Sequence, residues 1–312
     1  MAAVHSIVGL SVFGVDFQSL KPYIVFGLAL GGAYALSGVG IVVLYQTTGV
    51  LNVAFGAVGA AGALIAYWMI HHTSLNHWLA YLTCVLFGGV VNLAYGSFFG
   101  PAFAKRDPLV KMMGTLALAL ILLGIMGWRA PAGGAFVRFM TLPTSTHRWT
   151  VWGASVSLTQ ILALVFAFVL TLGTTLFLRR TSLGTAYRAV ATDREITATL
   201  GVPVRRVEAT AWFGSGLVCG MSGLLLADLY TSLDYVALTF LVISSLAAAL
   251  IGRLRSLWAT FAGGLTVGLV QGILTPFGRV TEYRAATPFV LSIIALLWLS
   301  RTRVVTISRT AQ

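Results

Sequence analysis

Residues 158–178 read LTQILALVFAFVLTLGTTLFL and residues 179–207 read RRTSLGTAYRAVATDREITATLGVPVRRV. The first stretch holds no charged group in 21 residues, enough to carry a helix across the roughly 30 Å of a bilayer core. The second opens and closes on paired arginines and is too polar to follow it into hydrocarbon. A spanning helix that delivers a basic loop to one membrane face therefore sets the fold class.

The rest of the chain repeats this alternation. Of 312 residues, 58% are hydrophobic and only 9% charged, with 34 Gly and a mean hydropathy of +0.92. A water-soluble globule carries about 25% charged residues, so soluble, disordered and disulfide-scaffold classes are excluded. Cys84 and Cys219 lie in apolar stretches and read as small buried hydrophobes. The formal charge of +12 reads as basic loops on one membrane face and calls for no nucleic acid. No cleavable signal peptide is evident at residues 1–20, which keep Asp16 and Gln18, so the first span is expected to act as its own insertion signal.

Nine candidate spans follow, near 23–45, 50–70, 79–104, 109–128, 158–178, 207–230, 236–251, 257–275 and 288–300. The second is interrupted by Asn52 and the small-residue run Gly56–Gly62, a pattern of a broken or re-entrant helix packed inside protein. With the C-terminus inside, the inner loops hold Lys105, Arg106, Lys111, Arg179, Arg180, Arg188, Arg194, Arg205, Arg206, Arg253, Arg255, Arg301, Arg303 and Arg309. The outer segments hold Lys21, Arg129, Arg138, Arg148, Arg279 and Arg284. That bias puts the N-terminus outside and the C-terminus inside. The expectation is an all-α polytopic membrane bundle of eight to ten helices, nine favoured, forming a single domain over 1–312. Glycines four apart (Gly27 and Gly31, Gly96 and Gly100, Gly216 and Gly220, Gly264, Gly268 and Gly272) mark faces where helix backbones approach closely.

The missing chemistry narrows function. Asp16, Asp107, Asp193, Glu195, Glu208, Asp234 and Glu282 fall in loops or at helix ends, leaving Asp228 near an outer end, so no mid-membrane proton relay can be assembled. His71, His72 and His77 lack the Cys or carboxylate that would make a metal site; His5 and His147 also lie outside the spans. No phosphate-binding glycine loop, nucleophile elbow or zinc-protease pair occurs. No catalytic residue, cofactor or metal is expected.

Within the basic loop, Thr192 or Asp193 can cap a short helix whose first turn holds Glu195, favourable at the positive end of the helix dipole. Gly201 and Pro203 end that helix, and Ile196, Thr199 and Leu200 share a face. Two readings stand: a peg for a groove in another protein, or a solvated connection with lipid-facing arginines.

Thr181 to Ala227, with Leu183, Gly184, Ala186, Arg188, Ala189, Ala191, Ala198, Gly201, Ser215, Gly216, Gly220 and Gly223 in register, resembles the signature region of the inner-membrane permeases of branched-chain amino-acid ABC importers. Gly31-Gly32-Ala33-Tyr34-Ala35-Leu36, Leu51-Asn52-Val53-Ala54-Phe55-Gly56 and Ala248 to Gly264 resemble further elements of that family, so the likeness covers about 21–303. It implies a permease subunit in the prokaryotic inner membrane. It also implies partners: separate ATP-binding subunits, a second permease subunit that is a distinct paralogue, an extracytoplasmic substrate-binding protein and membrane lipid.

The resemblance makes 179–206 a cytoplasmic coupling loop, with Arg188, Asp193, Arg194, Glu195, Leu200 and Gly201 at the ATPase, and it favours the peg over the solvated connection. Tyr34, Asn52 and Phe55 are expected to line the substrate path. Phe55 stands where the family often has His, Ala57 where an acid is common, and Arg253 and Arg255 where it has glycines. Those departures open the cargo to an apolar or anionic solute besides an amino acid, within a class that also carries urea, amides and organic acids. The rival reading is a self-sufficient secondary carrier or channel, and a membrane-embedded enzyme lies beyond it.

Overall fold

The computed structural model describes residues 17–73, 76–103, 106–129, 142–151, 153–230, 234–277 and 281–297. Asp16, Lys105, Arg138, Arg279, Arg301, Arg303, Arg309 and the end of the last expected span, 298–300, lie outside them, as does His5.

The helices are α1 Phe17–Thr48, α2 Phe55–His72, α3 His77–Phe103, α4 Pro108–Arg129 and the one-turn α5 Pro143–Thr146. A small antiparallel hairpin follows, β1 Arg148–Val151 against β2 Ala154–Ser157, turning at Gly153. Then come α6 Leu158–Arg180, α7 Ser182–Thr192, α8 Arg194–Thr199, α9 Val204–Leu229, α10 Tyr235–Phe240, α11 Val242–Ile251 and α12 Leu257–Leu274. A 3₁₀ segment, Thr281–Ala286, runs into helix over 287–297.

Six of these helices are long and apolar enough to cross a membrane: α1, α3, α4, α6, α9 and α12. Helix α2, 18 residues long, is not among them, and the apolar segments Tyr235–Ile251 and Tyr283–Leu297 are shorter. The chain is thus an all-α membrane bundle. The small sheet is a local addition that apolar periodicity did not reveal.

Several boundaries have a local cause. Ser157 and Gln160 form a reciprocal capping box at the start of α6, which satisfies two orphan backbone donors. Asp234 caps α10 and Ser256 caps α12. Gly49 closes α1 in the left-handed region, φ 68°, where glycine meets no Cβ penalty.

Two helix seams organise the core. In the first, α1 and α12 run together with glycine against glycine: a methyl at Gly27 would stand 2.8 Å from the Gly268 carbonyl oxygen, and one at Gly31 2.9 Å from the Gly264 carbonyl oxygen. In the second, α3 meets α9, where a methyl at Gly220 would stand 2.5 Å from the Cys84 carbonyl oxygen. The expected four-residue spacing of Gly27, Gly31, Gly216, Gly220, Gly264, Gly268 and Gly272 is therefore the packing code of these seams. Gly88, not singled out in the sequence, belongs to the second seam, and Gly223 of α9 meets Gly59 of α2. Gly100 differs: a methyl there would touch nothing within 4 Å. Cys84 and Cys219 are fully buried and free.

The turn between α11 and α12 holds Arg253 and Leu254 at φ 56° and 54°, so the backbone keeps a glycine-type conformation although arginine stands there. The Gln46 side-chain amide braces it, donating to the carbonyls of Arg255 at 2.6 Å and Leu254 at 3.2 Å.

Candidate functional site: the basic loop and the buried polar groups

The basic loop is built of two helices, of which the sequence reading named one. In α7, Thr181 accepts from Gly184 N–H at 2.9 Å, and Gly184, Tyr187 and Val190 turn inward. That three-residue recurrence after a capping Thr was the available signal. Tyr187 meets Phe177 of α6 edge-on at 5.6 Å, and its hydroxyl donates to Thr210 Oγ1 of α9 at 3.0 Å. Burial raises the Tyr187 pKa above the ordinary phenol value, and the Thr210 hydroxyl opposes the rise.

Helix α8 starts as expected at Asp193, whose carboxylate accepts from the backbone N–H groups of Glu195 and Ile196, both at 2.9 Å. It ends at Leu200 and Gly201, the latter at φ 84°. Ile196, Thr199 and Leu200 are all exposed, Ile196 by 60% and Leu200 by 76%. Two bulky apolar side chains thus stand off a polar, capped turn.

Arg194 points the other way. Its Nε donates to Glu208 Oε1 of α9 at 2.7 Å and its Nη2 to Oε2 at 3.3 Å. This fork holds α8 against α9, and the hydrogen bond to Glu208 is the first cause of the raised Arg194 pKa. Arg188 is exposed, with Nη2 at 3.4 Å from Thr185 Oγ1.

Tyr34, Asn52 and Phe55 are each enclosed by this one chain, at 0%, 0% and 2% exposure, in distinct surroundings. The Tyr34 hydroxyl lies 2.9 Å from that of Tyr230 and donates to Gln271 Oε1 at 3.0 Å. Asn52 sits in the expected break between α1 and α2; its Nδ2 donates to Asn92 Oδ1 of α3 at 2.8 Å, while its Oδ1 has no partner among the described residues. Thr115 of α4 bridges the same break, accepting from Val53 N–H at 3.1 Å with its hydroxyl 3.1 Å from the Leu51 carbonyl. Phe55 borders a cavity of about 10 Å³ that Ser37, Ser222 and Ser245 also line, room for about one water. Its carbonyl accepts from Cys219 Sγ at 2.7 Å.

Asp228 closes the far end of α9, 4% exposed, accepting from Leu142 N–H at 2.7 Å. It ties down the segment that leads into α5 and the hairpin.

A multi-pass bundle whose polar groups are spent on helix breaks, and whose exposed helical loop stands off one end, has the build of a membrane permease. The chain belongs to the family described as branched-chain amino acid transport system / permease component, whose pattern matches residues 23–296.

Curated relatives agree across the length. The high-affinity branched-chain amino acid transport system permease protein LivH of Escherichia coli K12 is 25% identical over 287 residues, 87% of this chain and 91% of its own. BraD of Pseudomonas aeruginosa, of the same description, is 25% identical over 88% of this chain and 92% of its own. The probable LivH of Methanocaldococcus jannaschii is 25% identical over 77% and 76%. A solved structure, PsaBC from Streptococcus pneumoniae in complex with Fab, aligns over 88% of this chain and 90% of its own at 12% identity and TM-score 0.47, a superposition too loose to define a shared fold.

Proposed function

We propose that this chain is the permease subunit of an ATP-binding cassette importer for branched-chain amino acids in a prokaryotic inner membrane. It forms part of the substrate path and draws energy from a separate ATPase. The observation that carries the coupling is α8: a capped turn braced to α9 by Arg194 and Glu208, presenting Ile196 and Leu200 to solvent. Exposed leucine and isoleucine on a short rigid element suit a groove in a partner. Arg188, Glu195, Leu200 and Gly201 meet the ATPase; Asp193 and Arg194 hold the peg in shape.

The same reading makes the α7–α8 end cytoplasmic, with nine spans, N-terminus outside and C-terminus inside, in one transmembrane domain. The partners are two ATP-binding subunits, a second permease of paralogous sequence and an extracytoplasmic binding protein. ATP hydrolysis belongs to the ATPase, and this chain is no enzyme. Tyr34, Asn52 and Phe55 face the path when the bundle opens. The unpartnered Asn52 Oδ1 supports this, since a buried acceptor left alone costs about 1–3 kcal/mol and a passing ammonium or amide would satisfy it.

Uptake of L-leucine by the assembled importer tests the reading. It is expected to stop when ATP hydrolysis is blocked by vanadate and to persist when a protonophore collapses the membrane potential at constant ATP. Accumulation by this chain alone in liposomes under a proton gradient would replace it with a secondary carrier. In the assembled importer, Ile196→Ala with Leu200→Ala is expected to lower uptake at least tenfold while the membrane level of the permease stays unchanged. Normal uptake by that variant removes α8 from the coupling path.

A further inference from the structure

Helices α6 and α12 both pack along α1 and touch each other far less, so a furrow runs between them on the surface of the bundle. Three rings lie across it. Phe168 of α6 meets Trp258 of α12 edge-on at 5.8 Å and Phe261 at 6.2 Å, and Trp258 meets Phe261 at 6.1 Å. Phe168 and Trp258 are 46% and 41% exposed, and Trp258 stands in the first turn of α12, a depth at which tryptophan favours the boundary between bilayer and water.

One end of the furrow is basic. Arg255 stands three residues before Trp258, and Arg179 follows Phe168 by eleven residues, about three helical turns, which returns it to the Phe168 side of α6. Helix α1 shows that the two arginines lie at one level. Its Gln46 donates to the carbonyls of Leu254 and Arg255 and also borders a small recess with Leu178, the residue before Arg179. Nothing acidic answers these charges: α1, α6, α7, α11, α12 and the turn 252–256 hold no Asp or Glu. Arg179 and Arg255 are both exposed, and neither guanidinium has a hydrogen bond or ion pair among the described residues. The Arg255 backbone, by contrast, is held fast by Gln46 at 2.6 Å.

We propose that this furrow binds one anionic phospholipid, with its phosphodiester on Arg179 and Arg255 and an acyl chain laid over Phe168, Trp258 and Phe261. Guanidinium groups present paired N–H donors to phosphate oxygens, and the rings offer a broad apolar surface to a methylene chain. Charge selects the occupant. A choline headgroup brings a cation that the arginines repel, and a second copy of this chain, itself of net charge +12, would leave them unanswered. Phosphatidylglycerol supplies the missing negative charge and the chain together. Placing the site in the cytoplasmic leaflet rests on the permease reading above; the site itself rests on the furrow and its arginines.

The test uses the full importer in phosphatidylcholine vesicles in which a minor fraction of the lipid carries brominated chains, either as phosphatidylglycerol or as phosphatidylcholine. Bromine quenches tryptophan on contact, and the share due to Trp258 is obtained by difference from Trp258→Phe. Brominated phosphatidylglycerol is expected to quench that share about threefold more than brominated phosphatidylcholine at the same fraction, because a basic site enriches the anionic lipid locally. Arg179→Gln with Arg255→Gln is expected to abolish the preference. Arg179→Lys with Arg255→Lys, which keeps the charge, is expected to retain most of it and so separates lost charge from a disturbed fold. Equal quenching by the two lipids in the parent, or an undiminished preference in the glutamine variant, would overturn the site. Absence of Trp258 quenching by either lipid would overturn it in favour of a second subunit covering the furrow. ATP-driven leucine uptake in the same vesicles is read separately: its absence would sink the permease reading, while the quenching comparison needs no transport and decides the lipid site by itself.

Discussion

Helices α1 and α6 are both long and strongly apolar, yet the span of α1 is 89% buried inside the protein and that of α6 only 17%. Helix α4 resembles α6, also at 17%. The residues explain the difference. Helix α1 offers Gly27, Gly31, Gly32, Gly38 and Gly40 to its neighbours, whereas α6 displays Ile161, Val165, Phe168, Val169 and Leu172 outward. In lipid, a leucine gains little by leaving the bilayer for a protein interior, so apolarity does not decide which helix is central. Close backbone approach does, through dispersion over a long seam. The buried helix is the one with the smallest side chains.

The largest expected effect breaks this contrast outright. At Gly268 a side chain would collide with the backbone of Gly31, so Gly268→Val should cost about 3 kcal/mol or more and remove the folded permease from detergent extracts in a thermal-shift assay. Gly173→Ala on α6, where a methyl meets nothing within 4 Å, should stay within about 1 kcal/mol of the parent and tend toward greater stability. Equal losses from the two would refute the seam as the stabilising element.

A smaller effect concerns the polar group inside the packed region. Asn92→Ala strips Asn52 Nδ2 of its described acceptor and should cost about 1–3 kcal/mol, measured as a lower midpoint of thermal aggregation; Asn92→Asp, which keeps an acceptor, tests whether the bond or the volume matters. Smallest of all, Arg253→Gly relieves a left-handed non-glycine residue. It should raise stability by about 1 kcal/mol, seen as a few degrees in the same assay. A loss there would mean that the arginine side chain contributes more than its backbone costs.

Much of this was legible in advance, for reasons that are local. Apolar runs mark helices because the bilayer demands closed backbone hydrogen bonding, and Asp193 and Gly201 mark the ends of α8 because caps depend on near neighbours. Asn52 announced the break between α1 and α2 by being an amide where all around was apolar.

What stayed hidden is pairing across distance. Tyr34 joins Tyr230 and Gln271 at separations of 196 and 237 residues, and nothing near any of the three predicts it. Arg194 is the instructive case: its place in the loop suggested a partner protein, but Glu208, fourteen residues on, takes its guanidinium. Helix α7 was missed because its inward residues, Gly184, Tyr187 and Val190, include only one large apolar aliphatic. The hairpin Arg148–Ser157 was missed because four-residue strands carry too few alternations to register.

The glycine seam between α1 and α12 also has a meaning at the level of the gene. Every missense change at a glycine codon adds at least a methyl, and at Gly264, Gly268 and Gly272 that methyl meets backbone atoms of α1 that have no rotamer to change. Single-step drift is closed at those codons, and at Gly268 and Gly272 a compensating second change has no side chain opposite to shrink. On α4 and α6, the exposed leucine, isoleucine, valine and phenylalanine side chains exchange by one nucleotide and stand on the surface of the bundle. Mutation would thus write freely on the outside of this permease while leaving its central seam nearly fixed, so a random library of variants should lose members at the seam first.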